Sequence, residues 1–142
     1  VVDFTSVYVA RAGEDTAETI NAAMADPDIQ AVVFTPGEYK LGSPLLVTKP
    51  DFVLLGLGIA TLVATSGNVL IEVDGSLGGV RVAALLLQAG PGLSPSLLHW
   101  GPGSPAEPGF VHDLFARVGG PDTEMVQAHT MVLIEGDGVV GD

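Results

Sequence analysis

The chain has 142 residues, enough for one domain with its own hydrophobic core, and a formal net charge of −12 from five basic and seventeen acidic residues. This balance argues against nucleic acid or an anionic membrane surface as a partner, because both need clustered cations. The chain contains no cysteine, which excludes disulfides and zinc–thiolate chemistry.

The N-terminal region predicts a short strand at Val7–Val9 and then a helix over residues 14–24. Asp15 is placed to cap the start of this helix, with Glu18 three residues later as in a capping box. Ala17, Ile20 and Met24 share one face of the helix and form an apolar stripe. We expect this stripe to cover the open first turn of a solenoid, whose uncovered strand edge would invite unwanted pairing.

From Phe34 to Leu87 the chain consists of short apolar runs separated by turn-forming residues such as Pro36-Gly37. Runs of about four to eight residues are typical of buried strands rather than helices. Phe52–Ile71 contains no charged residue and is long enough to span a membrane. Because glycines and polar residues interrupt this stretch, we predict strands there and no membrane span.

Two series of apolar segments recur along the chain with a period of about 30 residues, which is typical of repeat architectures. In the first series, Val82 is expected to point inward and Arg81 outward. The second series contains the tetrapeptide Val-Leu-Ile-Glu twice. The segments are Val53–Gly56, Val80–Ala83 and Phe110–Asp113 in the first series, and Val69–Glu72, Leu97–Trp100 and Val132–Glu135 in the second.

We therefore predict an all-β fold, a right-handed parallel β-helix of about four to five turns with an N-terminal capping α-helix. Residues 1–142 form a single β-helix segment, with the cap over about residues 1–30 and the turns over about residues 31–142. Ala89–Leu93 and Gly101–Gly109 are rich in proline and glycine and are expected to form loops outside the coil. Because the chain stops at Gly138–Asp142 with no capping segment, we expect the turns to continue beyond the chain end, or another copy to stack there.

Several of these segments resemble the opening of pectate-lyase-like β-helix proteins. The later stretch Val111–Gly120 is similar to the β-1,3-glucanase-like branch, glycoside hydrolase family fifty-five. Thr35 occupies a position at which that family often has a second proline, and this difference lies in a turn. The matching segments of the first part are Gly13–Thr16, Ile20–Ala23, Val33–Tyr39, Val53–Gly58 and Thr61–Val63.

The resemblance implies a secreted, carbohydrate-active protein that is directed at β-1,3-glucan and belongs to a longer chain. It also implies that the catalytic carboxylates lie downstream of the matched part, so no catalytic residue is assigned and it stays open whether this chain is an enzyme. Two alternatives stay open as well: a structural or assembly module that stacks through its open C-terminal end, and a non-catalytic glycan-binding module.

A small set of residues could bind a polysaccharide. Trp100 is the sole tryptophan, and sugar rings pack on aromatic faces, although a lone tryptophan in an apolar run is also typical of a core. His99 precedes it. His112 and Asp113 could form an acid-oriented imidazole, although adjacent strand residues point to opposite faces. Arg117 completes the predicted substrate-binding set.

The acidic residues beside turns are the remaining candidates for chemistry. Glycoside hydrolysis needs two carboxyl groups about 5–9.5 Å apart, and stacked turns could bring such a pair together. The alternative is that they are solvated turn residues. Gly56-Leu57-Gly58 is interpreted as a tight corner of the coil rather than a phosphate loop. We predict no cofactor and no metal site, because the three histidines lack consistent spacing. The acids are Glu72, Asp74, Asp113, Glu135 and Asp137.

Overall fold

The computed structural model describes residues 3–120 and 124–142, and these residues form a parallel β-helix of about five turns with one α-helix. This confirms the predicted fold class. In chain order the elements are a 3₁₀ helix (Phe4–Ser6), β1 (Val7–Ala10), α1 (Ala17–Ala25), β2 (Ala31–Phe34), β3 (Glu38–Leu41), β4 (Leu45–Val47), β5 (Val53–Ala64), β6 (Ile71–Val73), β7 (Arg81–Gln88), β8 (Ser94–Gly103), β9 (Gly109–His112), β10 (Phe115–Arg117), β11 (Ala128–Gly136) and β12 (Val139–Gly141).

The strands lie in two sheets that run along the coil. Within the described residues, the larger sheet has eight strands in the order β1-β2-β5-β7-β9-β12, with β3 paired to β5 and β10 paired to β7. The smaller sheet has four strands in the order β11-β8-β6-β4. Neighbouring strands are parallel, as they must be when each turn of a solenoid repeats the path of the turn before it.

The first predicted series does stack, although its register differs by one residue in the middle copy. Val53 lies beside Arg81, and Arg81 lies beside Phe110. The sequence pattern aligns Val53 with Val80, which is buried but lies before the start of β7. The expected faces are nevertheless correct, because Val80 and Val82 are buried and Arg81 is exposed.

The second predicted series also lies in one sheet, in β6, β8 and β11, but its register is wrong. Ile71 lies beside Leu98, and Leu98 lies beside Val132, so the two Val-Leu-Ile-Glu copies are offset by two residues. An offset of two leaves equivalent side chains of the two copies on the same face, because the side-chain period of a strand is two. Leu98, one residue away from the predicted alignment, occupies the interior column.

Inward side chains from successive turns pack on one another and form the core. Leu54, Val82 and Val111 are neighbours in one interior column. On the opposite sheet, Trp100 lies beside Val73 on one side and Ile134 on the other. Such columns explain why the interior of a coil can stay apolar with few aromatic residues.

The helix covers the first turn as predicted, but its N-cap is Thr16 and not Asp15. Thr16 Oγ1 accepts from the Thr19 backbone N–H at 3.3 Å, and Thr19 Oγ1 accepts from the Thr16 N–H at 2.9 Å. Because the helix begins at Ala17, the third helical residue is Thr19, so Glu18 cannot close the capping box. Asp15 instead accepts hydrogen bonds from Tyr8 Oη at 2.5 Å and from the Arg11 N–H at 2.8 Å.

One side chain of the helix closes the edge of the smaller sheet. Asn21 Nδ2 donates to the carbonyl oxygen of Pro44 at 2.8 Å, and Asn21 Oδ1 accepts from the backbone N–H of Leu46 at 2.9 Å. These backbone groups lie at the start of β4, the edge strand of the smaller sheet. The helix thus satisfies edge groups that would otherwise be free to pair with another chain.

The stretch from residue 52 to 71 forms a strand as predicted, whereas the second predicted loop is shorter than expected. This apolar stretch contains all of β5, a strand that turns a corner between Leu55 and Ala60, where the register shifts. Gly58 has a φ of +58° at this corner, which confirms that the Gly-x-Gly pair is a turn. In the described part of the chain, no helix is long and apolar enough to cross a membrane. Gly101–Gly103 belong to β8, so the predicted second loop is shorter than expected.

Candidate functional site

Trp100 is buried, with 1% of its surface exposed, so its predicted role as a sugar platform is wrong. Its ring lies between the neighbouring strands of the smaller sheet and against Gly109. A Cβ atom at Gly109 would lie 2.1 Å from Trp100 Cζ2, so that position needs glycine. The indole therefore belongs to the core, which was the structural alternative for a lone tryptophan in an apolar run.

His99 lies on the outer face of the smaller sheet and contacts a carboxylate from the next turn. Its Nε2 is 3.0 Å from Glu135 Oε1, and Glu72 is its strand neighbour on the turn below. This contact joins a histidine and an acid on neighbouring turns. The structure therefore brings together His99 and Glu135, a pair that the sequence did not associate.

His112 and Asp113 do not form the predicted acid-oriented imidazole. His112 is the last residue of β9, and its Nδ1 is 2.8 Å from Asp142 Oδ1 on the last turn. Asp113 follows in a turn with a φ of +49° and is exposed. The carboxylate that contacts the imidazole thus comes from about one turn later in the chain, as parallel stacking allows.

Arg117 lies on the outer face of β10 and donates two hydrogen bonds to one neighbour. Its Nε donates to Gln88 Oε1 at 2.9 Å, and its Nη2 donates to the same oxygen. Arg117 and Gln88 are direct neighbours on β10 and β7. The predicted binding residues lie on both sheets, with His99 and Trp100 on β8 of the smaller sheet and His112 and Arg117 on β9 and β10 of the larger one. No hydrogen bond within residues 3–120 and 124–142 joins any two of the five.

The strongest candidate site is a groove beside this Arg117–Gln88 pair, which we name the Gln88 groove. Lys40, Val63 and Gln88 form an outward column on β3, β5 and β7 that lines it. The groove encloses about 340 Å³. Its remaining side chains include Glu38, Thr65, Pro91, Glu124 and Val126.

Two contacts hold the segment after residue 124 beside the groove. The backbone N–H of Gln127 donates to the carbonyl of Gly90 at 3.0 Å, and Gln127 Nε2 donates to the carbonyl of Pro91 at 2.9 Å. Val126 and Pro91, which adjoin these contacts, both line the groove. The groove thus combines apolar surface with carboxylate, ammonium, hydroxyl and amide groups, a mixture that suits a small polar ligand.

Among the acids proposed for catalysis, Asp74 is a turn residue. It accepts hydrogen bonds from Ser76 Oγ at 2.6 Å and from the Ser76 N–H at 3.0 Å. These two bonds hold the pKa of Asp74 below its ordinary value of 3.8, and the bond from the Ser76 side chain has the larger effect. A general acid needs a raised pKa, so Asp74 does not suit that role. Over residues 3–120 and 124–142, no three His, Cys, Asp or Glu side chains are grouped to hold a metal ion.

Sequence reasoning missed the groove because Lys40, Val63 and Gln88 are far apart along the chain. One signal was available: Gln88 and Arg117 are both polar residues within apolar runs, and they are separated by about one repeat period. Polar residues at matching positions of successive turns are expected to be neighbours on the outer face.

Comparisons with known proteins agree on one group of relatives. The model of the LAM55 pectate lyase-like domain matches residues 7–142. An exo-beta-1,3-glucanase of Streptomyces sp. (strain SirexAA-E / ActE) is 40% identical over 118 residues, which are 80% of this chain and 19% of that protein. This chain therefore spans about a fifth of that relative's length.

Solved structures give the same result. The structure of sacteLam55A from Streptomyces sp. SirexAA-E superposes with a TM-score of 0.82 and 34% identity, covering 96% of this chain and 25% of that one. A variant of sacteLam55A in complex with glucose gives a TM-score of 0.79 and 35% identity, covering 90% of this chain and 23% of that one.

Proposed function

The chain belongs to the LAM55 pectate lyase-like domain family, and from this membership we propose that it is the N-terminal β-helix portion of a secreted protein directed at β-1,3-glucan. Membership also confirms the resemblance to the β-1,3-glucanase-like branch that the sequence motifs indicated. We further propose that this portion does not cleave glucan by itself.

The identity to an exo-beta-1,3-glucanase is the observation that carries this proposal. An identity of 40% over 118 residues supports a shared ligand class, and the glucose complex of a related structure supports a sugar as that ligand. The proposed lack of activity is supported by the share matched, because this chain corresponds to only 19% of that enzyme. The hydrogen bonds from Ser76, which lower the pKa of Asp74, also argue against an acid catalyst at that turn.

Release of reducing sugar from laminarin is the direct test. We expect the purified 142-residue chain to release no sugar above a buffer control, while a β-1,3-glucanase assayed in parallel does so. Sustained laminarin hydrolysis that survives repurification would show that the catalytic groups lie within this chain.

The C-terminal turn supports a proposal about what the chain packs against. Val132 is 38% exposed and Ile134 is 40% exposed, although they continue the interior columns of Leu98 and Trp100. Exposed apolar residues in line with a core need a cover. We propose that a further β-helix turn of the same polypeptide provides it.

The alternative cover is another copy of this chain, which would make it an assembly module. Head-to-tail stacking is opposed by α1, because Asn21 already occupies the β4 edge groups that an incoming strand would need. Copies could still meet through their two C-terminal ends. Light scattering distinguishes the alternatives: a mass that stays monomeric across a concentration series excludes the copy, and a dimer that grows with concentration supports it.

Secretion is the remaining part of the proposal. It is supported by the ligand class, because polysaccharides such as β-1,3-glucan lie outside the cell. The acidic balance of five basic against seventeen acidic residues also suits a protein that meets a neutral polymer. Detection of the parent protein in the medium of the source organism would support this point, and its retention in washed cells would contradict it.

A further inference from the structure

We infer that the Gln88 groove binds one glucosyl unit of a neutral β-glucan, with the Gln88 amide N–H groups as hydrogen-bond donors and Arg117 as the residue that positions them. The inference rests on the proposed function and deepens it, because it assigns a place and a contact to the sugar. The sequence-predicted binding residues supply only Arg117 to this site, and Arg117 acts there through Gln88.

The orientation of the Gln88 amide carries the inference. Arg117 donates from both Nε and Nη2 to Gln88 Oε1, so the oxygen end of the amide is occupied by a cation. An amide has a carbonyl acceptor at one end and two N–H donors at the other. With its oxygen held, Gln88 offers the groove the Nε2 donors, and the guanidinium charge polarises the amide and strengthens them.

The other groups lining the groove complement a hexose. The volume of about 340 Å³ lies at the small end of the range for ligand sites, which runs from about 300 to 1,000 Å³. Val63, Pro91 and Val126 offer apolar surface for the C–H face of a sugar ring. Lys40 and Thr65 provide further hydrogen-bonding groups for hydroxyls.

The charges of the groove select a neutral sugar over an acidic one. Glu38 and Glu124 also line it, and a carboxylate accepts hydrogen bonds from hydroxyl groups but repels another carboxylate. The net charge of −12 on the whole chain opposes any polyanion as well. We therefore expect a β-1,3-glucan oligosaccharide to bind and an oligogalacturonate not to bind.

Isothermal titration calorimetry with laminaritriose tests the assignment on four variants of the 142-residue chain. Gln88→Ala removes the donors, and Gln88→Glu keeps the side-chain shape and the Arg117 contact while replacing the donors with a carboxylate. Arg117→Met releases the amide. Arg81→Met is the matched control, because Arg81 lies on the same sheet but contacts Phe110 at 5.0 Å and does not line the groove.

We expect each of the three groove variants to weaken the Kd for laminaritriose by about 2- to 12-fold, the range for a lost neutral hydrogen bond. Arg81→Met should leave the Kd unchanged. Thermal unfolding of Gln88→Glu separates binding from stability, because this variant should lose affinity while its Tm stays near that of the unchanged chain. Trigalacturonate should give no binding heat.

Three results would overturn the inference. Laminaritriose bound with equal affinity by the unchanged chain and all groove variants would place the sugar elsewhere and leave the proposed function standing. Binding of trigalacturonate in preference to laminaritriose would contradict the assigned ligand class. No heat with any β-1,3-glucan oligosaccharide would remove this site, and the proposed function would then depend on the laminarin and secretion experiments alone.

Discussion

Substitution of Val82 by aspartate tests whether the turns enclose a dry interior. Val82 has 0% of its surface exposed and lies between Leu54 and Val111 in one interior column. The adjacent residue Ala83 faces outward on the same strand and provides a matched position for the same new side chain. The two variants therefore place the same new carboxylate on opposite faces of β7.

The expected magnitude follows from two losses. Full burial of a valine side chain contributes about 1.5–3 kcal/mol, which Val82→Asp forfeits. An unpaired carboxylate in an apolar interior costs several kcal/mol more, whether it stays ionised or takes up a proton. The sum approaches the whole net stability of a domain, about 5–15 kcal/mol, whereas a surface substitution usually stays within about 0.5 kcal/mol.

Circular dichroism during urea unfolding measures the difference. We expect Val82→Asp to be unfolded, or to unfold at a much lower urea concentration than the unchanged chain, and Ala83→Asp to unfold close to it. Equal midpoints for the two variants would show that residue 82 does not face a sealed interior, and the reasoning about stacked columns would be wrong.

Three further substitutions test the capping helix at Asn21, the Asp15 carboxylate and the buried Trp100. Asn21→Ala should cost about 1–3 kcal/mol in urea unfolding, because it leaves the Leu46 N–H and the Pro44 carbonyl without their partner; an unchanged midpoint would contradict the edge-closing role. Burial raises the pKa of Asp15, but hydrogen bonds from Tyr8, Arg11 and Thr19 lower it overall below 3.8, so its contribution to stability is present above about pH 4 and lost as the pH falls below that value. Asp15→Asn should therefore weaken the loss of stability in acid, and an unaltered acid profile would refute this. Trp100→Ala should cost about 3–5 kcal/mol in unfolding free energy, as for a core residue, and a loss of sugar affinity without loss of stability would restore Trp100 as a binding residue.

The architecture could be predicted because a parallel coil repeats a local pattern. Short apolar runs, turn residues and a period of about 30 residues all follow from the demand that each turn bury one face on the next. The inward position of Val82 and the outward position of Arg81 followed from strand alternation alone. The covering helix followed from its apolar stripe, since Ala17, Ile20 and Met24 are buried.

Register and capping were less predictable because they depend on the turns between strands. β7 pairs with β5 from Arg81, one residue later than the predicted alignment at Val80, and no pattern within the strand reveals where the pairing starts. The prediction of Asp15 as the N-cap was wrong for a similar reason, since it depends on contacts from outside the helix. Asp15 and Thr16 are both favoured at an N-cap, and the choice fell to Thr16 because Tyr8 and Arg11 engage Asp15 from outside the helix.

The candidate site was the least predictable part, because its residues come from different turns. His99 with Glu135, and Arg117 with Gln88, are joined only by stacking, so their partners cannot be read from neighbouring residues in sequence. Trp100 could be assigned to the core or to the surface only once the position of β8 between β6 and β11 was known. The type of a residue determines its chemistry, but the register of the coil decides which other residues it contacts.

Mapping of amide chemical shifts during a laminaritriose titration of the unchanged chain is the most direct test of the central claim, that the outer column around Gln88 binds a neutral glucan. The account predicts the largest shifts at Lys40, Val63, Gln88 and the neighbouring residues of β3, β5 and β7. Shifts concentrated instead around Glu72 and His99 on the smaller sheet, or an unchanged spectrum at saturating sugar, would contradict it.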